Sequence, residues 1–129
     1  PAADTMSPTE PNPASTEPST VAMAIAKTPK PPYVVVIFSS IRTGDDGDGY
    51  ASMAEEMDRL AAAQPGYLGV ESARDVDGFG LTASYWTDEQ AARAWKGVAE
   101  HAVAQRLGRE RWYRSYRVRI ATVTREYGF

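Results

Sequence analysis

His101 is the only histidine in the chain, and there is no cysteine. Proton chemistry near neutral pH therefore falls to one imidazole, the side chain whose unperturbed pKa lies in that range. The same two counts exclude disulfides, thiolate catalysis, iron–sulfur clusters, cysteine zinc sites and a multi-histidine metal centre within one subunit. The groups that could work with His101 are planar or hydroxylated: Trp86, Trp95, Trp112, Tyr85, Tyr116, Ser39 and Ser40, with Arg42 ending an apolar run. Indoles stack on planar rings, hydroxyls orient polar groups, and a guanidinium holds an anionic oxygen. The chemistry this set suggests is proton transfer by His101, with Trp86, Trp95, Arg42, Ser40 and Tyr116 as candidates for binding a planar ligand. Each residue also has a structural alternative. His101 can be a hydrogen-bonded core histidine, the tryptophans can be core anchors, and Arg42 can pair with the nearby aspartates.

These residues need elements to hold them. Tyr33 to Ile41 is apolar on both faces and β-branched, so it reads as a strand buried on two sides. The Gly- and Asp-rich loop Thr43–Gly49 lacks the oxygen spacing of a calcium loop and reads as a turn, with Asp48 placed to cap a helix. That helix spans about Gly49 to Ala63, with Tyr50, Met53, Met57, Leu60 and Ala61 on one face. Gln64-Pro65-Gly66 stops it. Two strands follow, Tyr67 to Asp75 and Phe79 to Trp86, joined at Asp77-Gly78. Thr87 and Gln90 form a capping box for a second helix. Its apolar face is Ala91, Ala94, Trp95, Val98, His101 and Ala102, and Leu107-Gly108 closes it. A last strand from about Trp112 to Glu126 turns Tyr116, Val118 and Ile120 inward, while Arg117 and Arg119 do not look like monomer core. The sum is an α+β, ferredoxin-like βαββαβ fold with a four-stranded antiparallel sheet. Helices cover one face of such a sheet, and the bare face implies a two-fold dimer.

Residues 1–32 hold all but one of the nine prolines and read as an extended tail before a domain over 33–129. Ala24-Ile25-Ala26 mimics a signal-peptidase site. No Lys or Arg precedes Lys27, however, so a secretory signal is not expected. A net charge of −3 argues against nucleic acid as a partner. No apolar run reaches the roughly 20 residues of a membrane helix. A cytoplasmic location is expected.

Several runs resemble antibiotic biosynthesis monooxygenase (ABM) domain proteins of the dimeric α+β barrel superfamily. They are Ile25-Ala26-Lys27-Thr28-Pro29, Pro31-Pro32-Tyr33 into Val36-Ile37-Phe38-Ser39-Ser40, and Gln64 to Ser72. Ser84-Tyr85-Trp86, Ala94-Trp95-Lys96, Gly108 to Tyr113 and Glu126-Tyr127-Gly128-Phe129 belong with them. The resemblance implies two subunits packed sheet to sheet as a dimeric α+β barrel, with a small aromatic ligand between sheet and helices. It also implies a cofactor-independent monooxygenase acting on a planar phenol, or a haem-degrading protein. The haem-degrading relatives use a histidine late in the second helix. Gln105 falls near that position, with His101 one turn earlier, and their asparagine has no counterpart because the only asparagine is Asn12. No cofactor is the expectation, with haem as the alternative. A non-catalytic dimeric module for a small ligand is the other.

Overall fold

The computed structural model describes residues 24–44, 49–105 and 112–129. The elements run β1 (Tyr33–Arg42), α1 (Tyr50–Ala62), β2 (Tyr67–Arg74), β3 (Phe79–Trp86), α2 (Glu89–Gln105) and β4 (Tyr113–Val123). They form one four-stranded sheet in the order β2-β3-β1-β4, antiparallel throughout. This is the ferredoxin-like arrangement expected from the sequence.

β1 lies inside the sheet because both of its faces are apolar. Val34 and Val36 face the helices, paired with Trp86 and Ser84 of β3 and with Thr122 and Ile120 of β4. Together with Ala61, Ala92, Trp95 and the fully buried Trp86 they form the core. α1 contributes buried Met53 and Ala61 and partly buried Met57 and Leu60, the face its spacing predicts. Gly49 precedes α1 with no side-chain cap. The expected cap, Asp48, lies outside the described residues, as do Leu107 and Gly108.

α2 departs from expectation in two respects. Its cap is Asp88, whose Oδ1 accepts the Ala91 N–H at 2.8 Å. Thr87 instead donates its backbone N–H to the Gly66 carbonyl at 2.9 Å, tying the start of α2 to the turn after α1. The buried stripe is Ala91, Ala92, Trp95, Val98 and Ala99, so Ala94 and His101 are exposed rather than inward. Both stripes share Ala91, Trp95 and Val98. The helix turns its alanine flank to the sheet, which permits close approach and leaves the imidazole hydrated at no desolvation cost.

The opposite face of the sheet is covered at one end by residues 24–32, within the stretch read as a tail. The Glu71 carboxylate of β2 accepts the Ala26 N–H at 2.9 Å and the Tyr85 hydroxyl at 2.7 Å. Beyond β4, the Glu126 carboxylate accepts from Thr28 Oγ1 at 2.7 Å and from the Tyr33 hydroxyl. Gly69, at φ 153°, makes room for this strap, since a Cβ there would stand 2.9 Å from the Ala26 Cβ. Tyr33 and Val35 are on this face, yet only 5% and 7% exposed. The rest of the face stays open: Ile37, Leu81, Ala83 and Ala73 line a groove of about 560 Å³ walled on one side by Ala24 and Ile25. Arg117 and Arg119 of β4 stand beside Ser39 and Ile37. Among the described residues, no helix is long and apolar enough to cross a membrane.

The Trp86 and Trp95 rings stack at 5.8 Å and 21°, and Tyr67 meets Trp86 edge-on at 5.6 Å. Trp86→Ala, which removes the centre of this group, is expected to lower the unfolding free energy by about 3–5 kcal/mol. Urea denaturation followed by circular dichroism measures it.

Candidate functional site

The structure divides the residues singled out in the sequence between two ends of the molecule. At one end Trp86 is core: it has no exposed surface, and its Nε1–H donates to Ser84 Oγ at 2.9 Å. Trp95, 8% exposed, is its stacking partner. Neither indole offers a face to a ligand in this arrangement. His101 lies on the exposed side of α2 and does not join them.

At the other end, Arg42, Ser40 and Tyr116 do come together. Ser40 and Tyr116 are cross-strand partners, and Arg42 is paired with Tyr113. Ser40 is buried at 2% exposure. Its Oγ accepts from Arg74, whose NH2 is 2.9 Å away. Arg74 also reaches the Tyr50 hydroxyl at 3.2 Å and donates to the Gly78 carbonyl. The Arg42 guanidinium lies over the Tyr50 ring, 3.7 Å from its centroid, a cation–π contact. One phenol is thus held face-on by one arginine and at its oxygen by another.

Aromatic rings stand beside this pair of arginines. Tyr50 meets Trp112 at 5.9 Å and Tyr113 at 6.0 Å, both edge-on. Phe38 contacts Tyr113 at 5.4 Å and Tyr116 at 5.5 Å. Trp112 is almost wholly buried, and Arg42 Nε donates to its carbonyl at 3.4 Å. Backbone bonds fix the strand ends here: Arg42 N–H to the Gly78 carbonyl and Thr43 N–H to the Trp112 carbonyl, both 3.0 Å.

Arg74, Tyr113 and Phe38 were not identified as site residues from the sequence, and Tyr50 was read only as core. Arg74 had a signal. It follows Val70 and Ser72 at strand period, and the hairpin register sets it opposite Gly80. A Cβ at position 80 would lie 2.5 Å from the Arg74 guanidinium carbon, so the glycine provides the seat for that side chain. Arg74 also lines a second groove, of about 250 Å³, with Asp75, Phe79 and Leu81. Nothing in the local pattern announces Tyr113 and Phe38, which meet only through the β1–β4 register.

The arrangement is suited to binding an aromatic ring and stabilising negative charge on its oxygen. Its own phenols stay protonated. Burial pushes the Tyr113 hydroxyl well above the ordinary tyrosine range, with its proximity to Tyr50 adding to the shift and the two arginines opposing it. On the strap side, burial and then the Glu71 carboxylate raise Tyr85 in the same direction. Such tyrosines donate hydrogen bonds at neutral pH and do not act as bases. Among the described residues, no group of three or more His, Cys, Asp or Glu is placed to hold a metal ion. Nor do the residues fit haem. The Trp86–Trp95 stack fills the layer between α2 and the sheet, and His101 and Gln105 are both exposed.

Because the folded state holds these phenols protonated, they contribute stability at pH values below the unfolded tyrosine pKa of about 10. That contribution is lost as pH rises above it, since the unfolded chain ionises first. Unfolding free energy is therefore expected to fall on going from about pH 9 to pH 11. Tyr113→Phe is expected to flatten the slope, as read by urea titrations across that range.

The family profile described as Antibiotic biosynthesis monooxygenase matches residues 32–107. The chain is 51% identical over 102 residues to the uncharacterized protein YqjZ of Bacillus subtilis (strain 168), spanning 79% of this chain and 89% of that one. Two solved structures share the fold at low identity. SnoaB from Streptomyces nogalater, a cofactor-independent oxygenase, aligns with TM-score 0.55 and 19% identity over 76% of this chain and 97% of its own. A protein of unknown function from Nitrosomonas europaea aligns with TM-score 0.61 and 11% identity, covering 74% and 93%. The chain belongs to the antibiotic biosynthesis monooxygenase family, which includes cofactor-independent oxygenases.

Proposed function

We propose that the protein is a cofactor-independent monooxygenase of small planar phenols, working as a cytoplasmic homodimer joined through the open sheet face. Its substrate site is the Arg42–Tyr50–Arg74 cluster. The observation that carries this reading is the handling of Tyr50. The cluster already grips a phenol by ring and oxygen, and a phenolic substrate beside or in place of Tyr50 would meet the same groups. SnoaB, of the same fold, is described as a cofactor-independent oxygenase.

The chemistry follows from charge. Two guanidiniums favour the phenolate and so lower the substrate's pKa, with water taking the proton. The phenolate is electron-rich at its para carbon, where dioxygen adds to give a hydroperoxide. Loss of the para hydrogen with cleavage of the O–O bond leaves a quinone and one water. The substrate supplies all four electrons, so the balance is one phenol and one dioxygen to one quinone and one water, with no external reductant. Trp112 and Tyr113 meet the Tyr50 ring, Phe38 and Tyr116 pack against Tyr113, and Ser40 anchors Arg74.

The test is a panel of polycyclic phenols with a free para position, followed by quinone absorbance and oxygen uptake. One dioxygen per quinone is expected. Arg74→Gln is expected to lower kcat/KM by about a hundredfold, the scale for losing one charge-stabilising donor. His101→Ala is expected to stay near wild type. A wild-type rate in Arg74→Gln with loss in His101→Ala would move the site to α2. Binding of a phenol without oxygen uptake would mark a ligand-binding module instead of an enzyme.

A further inference from the structure

Just past Glu126 the chain carries two aromatic side chains that touch nothing: Tyr127 is 99% exposed and Phe129 fully so. They differ from the scattered apolar residues of an ordinary surface because their starting point is fixed. Glu126 is tied to Tyr33 and Thr28, so the following residues leave the sheet from a defined place on the open-face side.

We propose that this segment is an arm that inserts Tyr127 and Phe129 into the open-face groove of a second copy of the chain, the exchange being reciprocal. The inference rests on the homodimer reading above and names the contact that would hold it. Direction supports it. Val123 pairs with Tyr33, so β4 leaves the sheet at the Tyr33 end, whereas the groove is centred on Ile37. Four strand residues, about 13 Å, separate those levels, and the arm runs away from its own groove. Reach supports it as well. Stacked sheets lie about 10 Å apart, and three extended residues span roughly that distance. The groove suits the cargo, with Ala24, Ala73 and Ala83 leaving room between Ile25, Ile37 and Leu81 for flat rings. Ile25, 84% exposed, and Leu81, 44% exposed, lack cover in one chain. The strap accordingly has two tasks, covering Tyr33 in its own chain and walling the seat for the partner's arm.

The chain has no cysteine, which permits a direct test. Full-length chains carrying Phe129→Cys and Leu81→Cys are mixed and oxidised; a covalent dimer that neither variant forms when oxidised on its own is expected. In parallel, Tyr127→Ser with Phe129→Ser is expected to raise the dimer dissociation constant at least about tenfold by sedimentation equilibrium, the scale of losing interface aromatics. The circular dichroism spectrum is expected to be unchanged. A wild-type dimer that is indifferent to the serines and gives no mixed cross-link overturns the arm and leaves the homodimer standing. A monomeric wild-type chain overturns both.

Discussion

The constraint on which the rest depends is that β1 must be buried on both faces. Val34 and Val36 require cover from one side, Tyr33 and Val35 from the other. The helices supply the first. They can do so because Trp86, at the end of β3, and Trp95, in the second turn of α2, form a stacked block that fixes the layer spacing. The second side has no helix, and the chain draws on what lies at its margins. The strap is brought down by two carboxylates, each of which also holds a tyrosine of the sheet. Those bonds satisfy polar groups that would otherwise be costly to pack beside apolar surface.

Two-sided demand on the central strand also explains why the molecule has unlike ends. Where β3 passes into α2, the helix side is filled by indoles with their one polar atom satisfied inside, and no group is left to act on a ligand. Where β1 ends and β4 begins, small and polar residues replace them: Ser40, Gly80 and Arg42 face the helix layer at that level. The packing deficit is filled by side chains from outside the centre of the sheet, Arg74 from the edge strand and Tyr50 from the first turn of α1. A cluster assembled this way holds charge near aromatic rings, which an apolar core would not tolerate without the rings and hydroxyls as partners.

Much of this was legible in the sequence. Alternation in β3 and the apolar run of β1 specify their own faces, and the order β-α-β-β-α-β with a tight hairpin points to the split ferredoxin-like sheet. The sequence reading puts Ser40, Arg42 and Tyr116 in the same pocket as Trp86, Trp95 and His101, and the structure sets the latter three at the other end of the sheet or on the exposed side of α2. What the sequence hid was rotation and register. For α2, two stripes sharing Ala91, Trp95 and Val98 fit the same periodicity, and only contact with the sheet chooses between them. His101 falls on the exposed side as a result. For the tryptophans, a ligand-binding role and a core role fit the sequence alike, because spacing shows only that residues share an element. It does not show that two indoles will satisfy each other. The strap was hidden by composition: proline-rich segments rarely order, and its anchors, Glu71 and Glu126, are far away in the chain.

The seating of Arg74 over Gly80 carries a consequence for how such a chain can change over generations. The two positions face each other across the β2–β3 hairpin, and any side chain at 80 occupies the volume of the guanidinium. A side chain at 80 displaces the far end of a flexible, exposed arginine and leaves the hairpin itself intact. What it removes is the reach of Arg74 to Ser40 and Tyr50. A lineage can therefore lose the grip on Tyr50 through a change at 80 while the sheet is kept.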